Sequence, residues 1–204
     1  MNQQQKDFWF RRLHSLTGVA PVGLFLVFHL FTNAKSTRGA EHFNQAVEGI
    51  AGLPFLPVIE VLFIFLPLLY HGVYGMYIAF TSGYNAGRFS WFRNQMFVWQ
   101  RITGVITFIF VVYHLWTTRF SGNSPSFDMV AQLVGSPFTF WFMILGVVAA
   151  SFHFVNGLWS FLIHWGVTVG PRSQRVSAYA MGGIWLAISF LGVSALWAFK
   201  YPGA

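Results

Sequence analysis

Cysteine is absent from all 204 residues. Its absence excludes disulfides, iron–sulfur clusters, thiolate metal ligands and the C-x-x-C-H motif that anchors a cofactor through thioethers. Charge is nearly absent too. Only 8% of the residues are Asp, Glu, Lys or Arg, against roughly 25% in an ordinary soluble domain, while 55% are hydrophobic. A solvated surface cannot be built from that composition, so the chain is expected to lie in a membrane. Acidic residues are scarcest, five against twelve Lys and Arg, leaving a net charge of +7. In a soluble protein such an excess could serve nucleic acid. Here the basic residues fall between apolar runs and read as topology signals, so no nucleic-acid partner is expected. The start, MNQQQKDFWFRRLHS, has no small-residue cleavage site after a short apolar core, and the first apolar run is expected to remain as a helix.

What is abundant is apolar sequence in long blocks. Five runs reach the ~20 residues needed to cross a bilayer, at about 13–31, 53–80, 97–116, 137–167 and 178–199. Pro21, Pro67, Gly75 and Gly157 lie inside them, and packed membrane helices tolerate such residues. The fold expected is all-α, a bundle of five transmembrane helices forming one domain over residues 1–204. With the N-terminus in the cytoplasm, the inner segments carry Lys6, Arg11, Arg12, Arg88, Arg93, Arg101, Arg172 and Arg175, and the outer ones Lys35, Arg38, Arg119 and Lys200. That excess of inner positive charge favours a cytoplasmic N-terminus. The two outer loops are each long enough for a short interfacial helix. Phe (25 residues) and Trp (9) are plentiful, which suits lipid contact, interfacial belts and packing against a flat cofactor alike.

Four histidines stand inside this apolar sequence, His29, His71, His114 and His153, one in each of the first four runs. An imidazole in a bilayer is costly without a partner or ligand. One alone could simply bond to a neighbouring helix, but these four recur in a repeated frame. Thr17-Gly18-Val19 precedes His29-Leu30 much as Thr103-Gly104-Val105 precedes His114-Leu115. His71, Gly75 and Tyr77 are matched by His153, Gly157 and Trp159. Runs one and two thus resemble runs three and four, with run five left over. At 1.5 Å per residue, His29 and His114 lie roughly 24–26 Å from the cytoplasmic ends of their helices, and His71 and His153 roughly 15–18 Å from theirs. Two pairs at two depths follow, His71 with His153 inside and His29 with His114 outside. Each is suited to clamp one haem iron from both faces, as in electron transfer; without cysteine the haems are of the non-covalent b type. Gly75 and Gly157 share their histidines' helix faces, where a missing side chain would admit a porphyrin or a neighbouring helix.

The segments RRLHSLTGV, YHGVYGMY, QRITGV, YHLW and HFVNGLWSFLIHWG together resemble the diheme cytochrome b membrane anchors of succinate dehydrogenases and fumarate reductases, of the single-subunit, five-helix type. The resemblance covers nearly the whole chain. It implies haem ligation by His71 with His153 and by His29 with His114, in agreement with the depths. It further implies a flavoprotein (FAD) subunit that oxidises succinate, an iron–sulfur subunit that feeds the inner haem, a membrane quinone, menaquinone by family type, as acceptor, and residence in the bacterial cytoplasmic membrane. The basic inner segments, among them Arg88, Arg93, Arg172 and Arg175, would then be docking points as well as topology signals.

Glu60 is the single acid inside an apolar run, eleven residues before His71, which on a regular helix puts it on the same face roughly 16 Å further out. A carboxyl there could carry protons for a quinone beside the outer haem, or could reach water at the helix end. An inner quinone or haem-propionate site has its own candidates in Arg12, His14, Ser15, Thr17 and His164, with the interfacial reading favoured for His14 and for His42. Two other readings compete: a diheme cytochrome b of another quinone-linked dehydrogenase (fumarate reductase, hydrogenase or formate dehydrogenase), and a haem-free transporter whose histidines relay protons.

Overall fold

Capping chemistry at the N-terminus decides where the first helix begins. In the computed structural model, which describes residues 2–83 and 87–203, the Asn2 side chain accepts from the Gln5 backbone N–H while the Gln5 side chain accepts from that of Asn2. Two of the helix's orphan donors are satisfied reciprocally. Helix α1 therefore starts at Gln3 and runs Gln3–Val19, ten residues ahead of the apolar run. At Ala20 the chain bends into α2, Pro21–Asn33, because Pro21 has no N–H to donate to the preceding turn. The first span is thus two helical segments meeting at Ala20–Pro21, and it begins ahead of the 13–31 run that hydropathy marks.

The other spans lie close to expectation. The second comprises α4, Leu56–Ile59, a π-helical turn, Glu60–Phe65, and α5, Leu66–Thr81. The third is α6, Phe92–Thr117, the fourth α8, Pro137–His164, and the fifth α9, Pro171–Lys200. These five segments are long and apolar enough to cross a membrane, and no strand occurs among the described residues. Two short amphipathic helices occupy the loops expected to hold them: α3, Ala40–Ala51, after a 3₁₀ turn, and α7, Phe127–Gly135, capped by the Ser126 hydroxyl on Met129 N–H.

Helix α8 is the axis of the bundle. It packs most extensively on α6 and α9 and also touches α1 and α7, and more of it is buried than of any other span. At the end opposite the N-terminus, α3 and α7 close the bundle with a core of Phe43, Phe127, Val134, Phe140, Leu196 and Phe199. Phe43 and Phe127 meet Phe199 at ring-centre distances of 4.9 and 5.0 Å. Each such ring removed from water contributes about 1.5–3 kcal/mol. Polar ties hold the same end: Asn44 Oδ1 accepts from Phe127 N–H at 2.8 Å, Ser36 Oγ donates to the Ala195 carbonyl at 3.3 Å, and Lys200 Nζ donates to the Gly135 carbonyl.

Candidate paired-histidine site

The duplicated Thr-Gly-Val segments place their glycines against the histidines of the following span. A Cβ built on Gly18 would lie 2.3 Å from His71 Cε1, and one on Gly104 would lie 3.0 Å from His153 Cε1. Only glycine lets the α1 backbone come that close to the imidazole. Contact at this range brings a backbone carbonyl to each ring. His71 Nδ1 donates to the His14 carbonyl at 3.0 Å, and His153 Nδ1 donates to the Gln100 carbonyl at 3.1 Å. A carbonyl oxygen can only accept, so in both rings Nδ1 carries the hydrogen and Nε2 keeps its lone pair. His71 and His153 then face each other across the bundle, ring centres 6.0 Å apart and planes at 76°.

The second pair lies further from the N-terminal end. His29 and His114 have ring centres 5.8 Å apart at 75°. Phe25 and Phe110, each four residues before its histidine, lie against them at 5.4 and 5.6 Å. The Asn33 amide donates to the His29 carbonyl at 2.8 Å and lies 3.3 Å from His29 Nε2. His114 Nδ1 is buried and has no hydrogen-bond partner among the described residues. The outer rings thus lack the carbonyl brace of the inner ones.

The ring-centre separations of 6.0 and 5.8 Å are of the size that two imidazoles on one metal would show. Nitrogen–metal bonds of about 2 Å on opposite sides, with each ring centre about 1.1 Å behind its nitrogen, put the centres roughly 6 Å apart. Among the described residues no three His, Asp or Glu side chains converge on a metal-ion site. A b-type haem is a group that two imidazoles at a time would suit.

The remaining candidate residues are distributed unevenly. Gly75 and Gly157 do face inward, but toward the preceding span: a Cβ on Gly75 would meet His14 Cε1 at 3.0 Å, and one on Gly157 would meet Gln100 Nε2 at 3.1 Å. They are helix–helix contacts in this structure. Thr17 spends its hydroxyl on the carbonyls of Leu13 and His14 in its own helix, and Ser15 is half-buried beside it. Arg12 stacks on Trp165 at 4.6 Å and on Phe8 at 5.1 Å. The neighbouring His164, exposed, donates from Nδ1 to the Ser160 carbonyl at 2.7 Å. Arg12 and His164 thus share one end of the bundle.

Two expectations are corrected. His14 is not an interfacial side chain; its ring lies flat on His71, centres 4.2 Å apart and planes at 6°. The reason is Gly75, which leaves the space that His14 fills. Glu60 does not share the His71 face. The π turn at Glu60–Phe65 inserts roughly one extra residue per turn and rotates what precedes it by about 100°. Glu60 meets Arg119 instead, Oε2 to Nη2 at 2.7 Å, with side chains 18% and 49% exposed. That hydrogen bond and the carboxylate charge raise the Arg119 pKa.

Residues outside the sequence reading complete the inner site. Gln100, Asn156 and Tyr74 surround the two inner histidines, and each occupies a repeat position: Gln100 matches His14, four before the glycine, and Asn156 matches Tyr74, three after the histidine. Extending the repeat outward from Thr-Gly-Val and from the histidines would have found them.

A two-span unit present twice, its four spans bundled with histidines meeting across them and a fifth helix alongside, defines a multi-pass membrane subunit. The chain belongs to the succinate dehydrogenase/fumarate reductase transmembrane subunit family, whose sequence pattern matches it in two stretches, residues 1–89 and 84–194. The division falls between the second and third spans, where the repeat divides. The chain is also 52% identical over 197 residues to the succinate dehydrogenase cytochrome b558 subunit of Bacillus subtilis (strain 168), covering 95% of this chain and 98% of that protein.

Proposed function

We propose that this subunit carries electrons from an iron–sulfur partner through two b haems to a membrane quinone, menaquinone, completing succinate oxidation by a flavoprotein (FAD) partner. The observation that carries the reading is the inner pair, His71 and His153, 6.0 Å apart with both Nδ1–H groups committed to carbonyls. That arrangement fixes the tautomer and leaves both Nε2 lone pairs for a metal, and the hydrogen bond at the far nitrogen raises ligand basicity. A haem held by these two imidazoles would supply one-electron transfer. His29 and His114 hold the second haem nearer the far surface.

The chain's own contribution is position and access. Phe25 and Phe110, each against its histidine, shield the outer pair. The basic end, with Arg12, Arg93, Arg172 and Arg175, is the docking face for the two soluble subunits and lies in the cytoplasm by the excess of positive charge. A bacterial cytoplasmic membrane accords with the Bacillus relative. Glu60, tied to Arg119, is the carboxyl through which protons reach a quinone at the far end. Arg12, Ser15, Thr17 and His164 serve the inner haem's propionates. An electron crossing the full membrane potential involves about 2.3 kcal/mol per 100 mV, so outward transfer is electrogenic unless protons accompany it. The same parts running backwards serve fumarate reduction. Family membership sets aside hydrogenase, formate dehydrogenase and transporter readings.

A reduced-minus-oxidised spectrum of the purified complex, with haem counted against protein, tests this. Two b haems per chain are expected; one or none sinks the proposal.

A further inference from the structure

Around the inner pair the two halves of the repeat share their glycines and histidines but differ in the side chains that support them. Gly18 corresponds to Gly104, His71 to His153 and Gly75 to Gly157, but His14 stands opposite Gln100 and Tyr74 opposite Asn156. In both halves the backbone carbonyl four residues before the first glycine takes the ring N–H. What holds that carbonyl in place differs.

In the first half the support is aromatic. His14 lies on the His71 ring, and Tyr74 stands edge-on to His14 at 5.7 Å and 60°. Stacked rings resist separation but slide readily, because no directional bond fixes their offset. In the second half the support is a closed set of amide hydrogen bonds. Gln100 Nε2 donates to the His153 backbone carbonyl at 3.0 Å, and Gln100 Oε1 accepts from Asn156 Nδ2 at 2.7 Å. The same Asn156 amide reaches the Met96 carbonyl at 3.0 Å. Gln100 therefore grips His153 twice, its carbonyl on the ring and its side chain on the backbone, and Asn156 locks that side chain to α6. Such bonds in a low-dielectric interior are directional and cooperative.

We propose that Gln100 and Asn156 are positioning residues that clamp the His153 imidazole in one orientation, making it the rigid axial ligand of the inner haem, while His71 is the compliant one. The proposal rests on the two-haem reading above. Its physical content is a single N–H···O=C geometry at His153, hence one ligand strength and one electronic environment at the iron.

The test uses the whole assembled complex and reads the low-spin electron paramagnetic resonance signal and midpoint potential of the inner haem, identified as the signal altered in His71→Met. Gln100→Met removes both side-chain bonds at near-constant volume. It is expected to broaden the inner signal into several overlapping species and to raise the inner potential as the ligand's hydrogen bond loosens, with the outer signal unchanged. Asn156→Ser should broaden it similarly, and the double variant should be no worse than Gln100→Met alone, since both act through one network. Gln100→His, which installs the side chain used by the other half, should return a single narrow signal. An inner signal that stays narrow at its original potential in both single variants overturns the clamp, as does a double variant whose effects simply add. Should Gln100→Met fail to assemble, the comparison of Asn156→Ser with Gln100→His decides alone. A wild-type complex without two haems refutes the parent reading before any variant is made, so the two failures are distinct.

Discussion

Replacing Gly18 by Ala is the sharpest single perturbation available, because one added carbon lands on an inner histidine. Carbon atoms pack at about 3.5–4.0 Å. The Gly18 Cβ would stand 2.3 Å from His71 Cε1 and 2.7 Å from its Nδ1, so the ring or helix α1 must retreat by roughly 1.2 Å. The ring can slide on His14 but can retreat from the added carbon only by giving up its Nδ1–H bond to the His14 carbonyl at 3.0 Å, which lies one turn before Gly18 on α1. Overpacking of this kind costs about 1–3 kcal/mol, and loss of the hydrogen bond about 1 kcal/mol more. The better helix propensity of Ala returns up to about 1 kcal/mol. The net expectation is about 1–3 kcal/mol against the assembled inner site, and each 1.4 kcal/mol is roughly tenfold in its equilibrium. The same substitution at Gly104 meets His153 Cε1 at 3.0 Å, needs a shift of only about 0.5 Å, and after the propensity gain should be close to neutral. Haem-to-protein ratio and the temperature at which the haem absorbance bleaches measure both variants in the purified complex. Gly18→Ala should lose inner haem and bleach earlier, Gly104→Ala much less. Equal tolerance of the two would refute the close-approach argument and the helix placement it rests on.

Further outcomes follow from the far end and from the topology. Glu60→Gln is expected to slow quinone turnover with haem content intact; unchanged turnover and quinone affinity would remove Glu60 from proton transfer. Arg119→Met should shift the melting temperature little, since half-exposed ion pairs are worth about 0–1 kcal/mol, while reproducing part of the Glu60→Gln turnover defect if the pair orients the carboxylate. Because the Arg119 pKa is raised, its share of stability is present below the ordinary arginine value and lost only above it. Melting temperature should therefore show no arginine-linked change between roughly pH 5 and 9. A reporter fused after Ala204 should be active only when placed outside the cytoplasm, as five spans and a cytoplasmic N-terminus require; a cytoplasmic signal would reverse the bundle.

Much of this arrangement was legible in the sequence because two of its periodicities are strong. Hydropathy marks five spans, and the spacing of His29, His71, His114 and His153 within a repeat pairs them at two depths. Other features leave no periodic trace. Hydropathy misses the first ten residues of α1, since QQQKDFWFRR is polar, yet the Asn2 and Gln5 cap starts the helix there. A π turn keeps the apolar composition of a helix while changing its phase, which is why Glu60 and His71 looked coaxial and are not. His14 sits three residues after Arg11 and reads as interfacial in sequence, whereas the space left by Gly75 admits it against His71. Tertiary room, not local composition, sets its role.

The paired carbonyl braces carry one more consequence. His71 is braced from the span immediately before it, and His153 likewise, so each half of the repeat owns both a ligand and the acceptor that aims it. No brace crosses the connection between the second and third spans. The paired-histidine site is then organised as a dimer interface is, with each half contributing one imidazole already aimed by its own backbone.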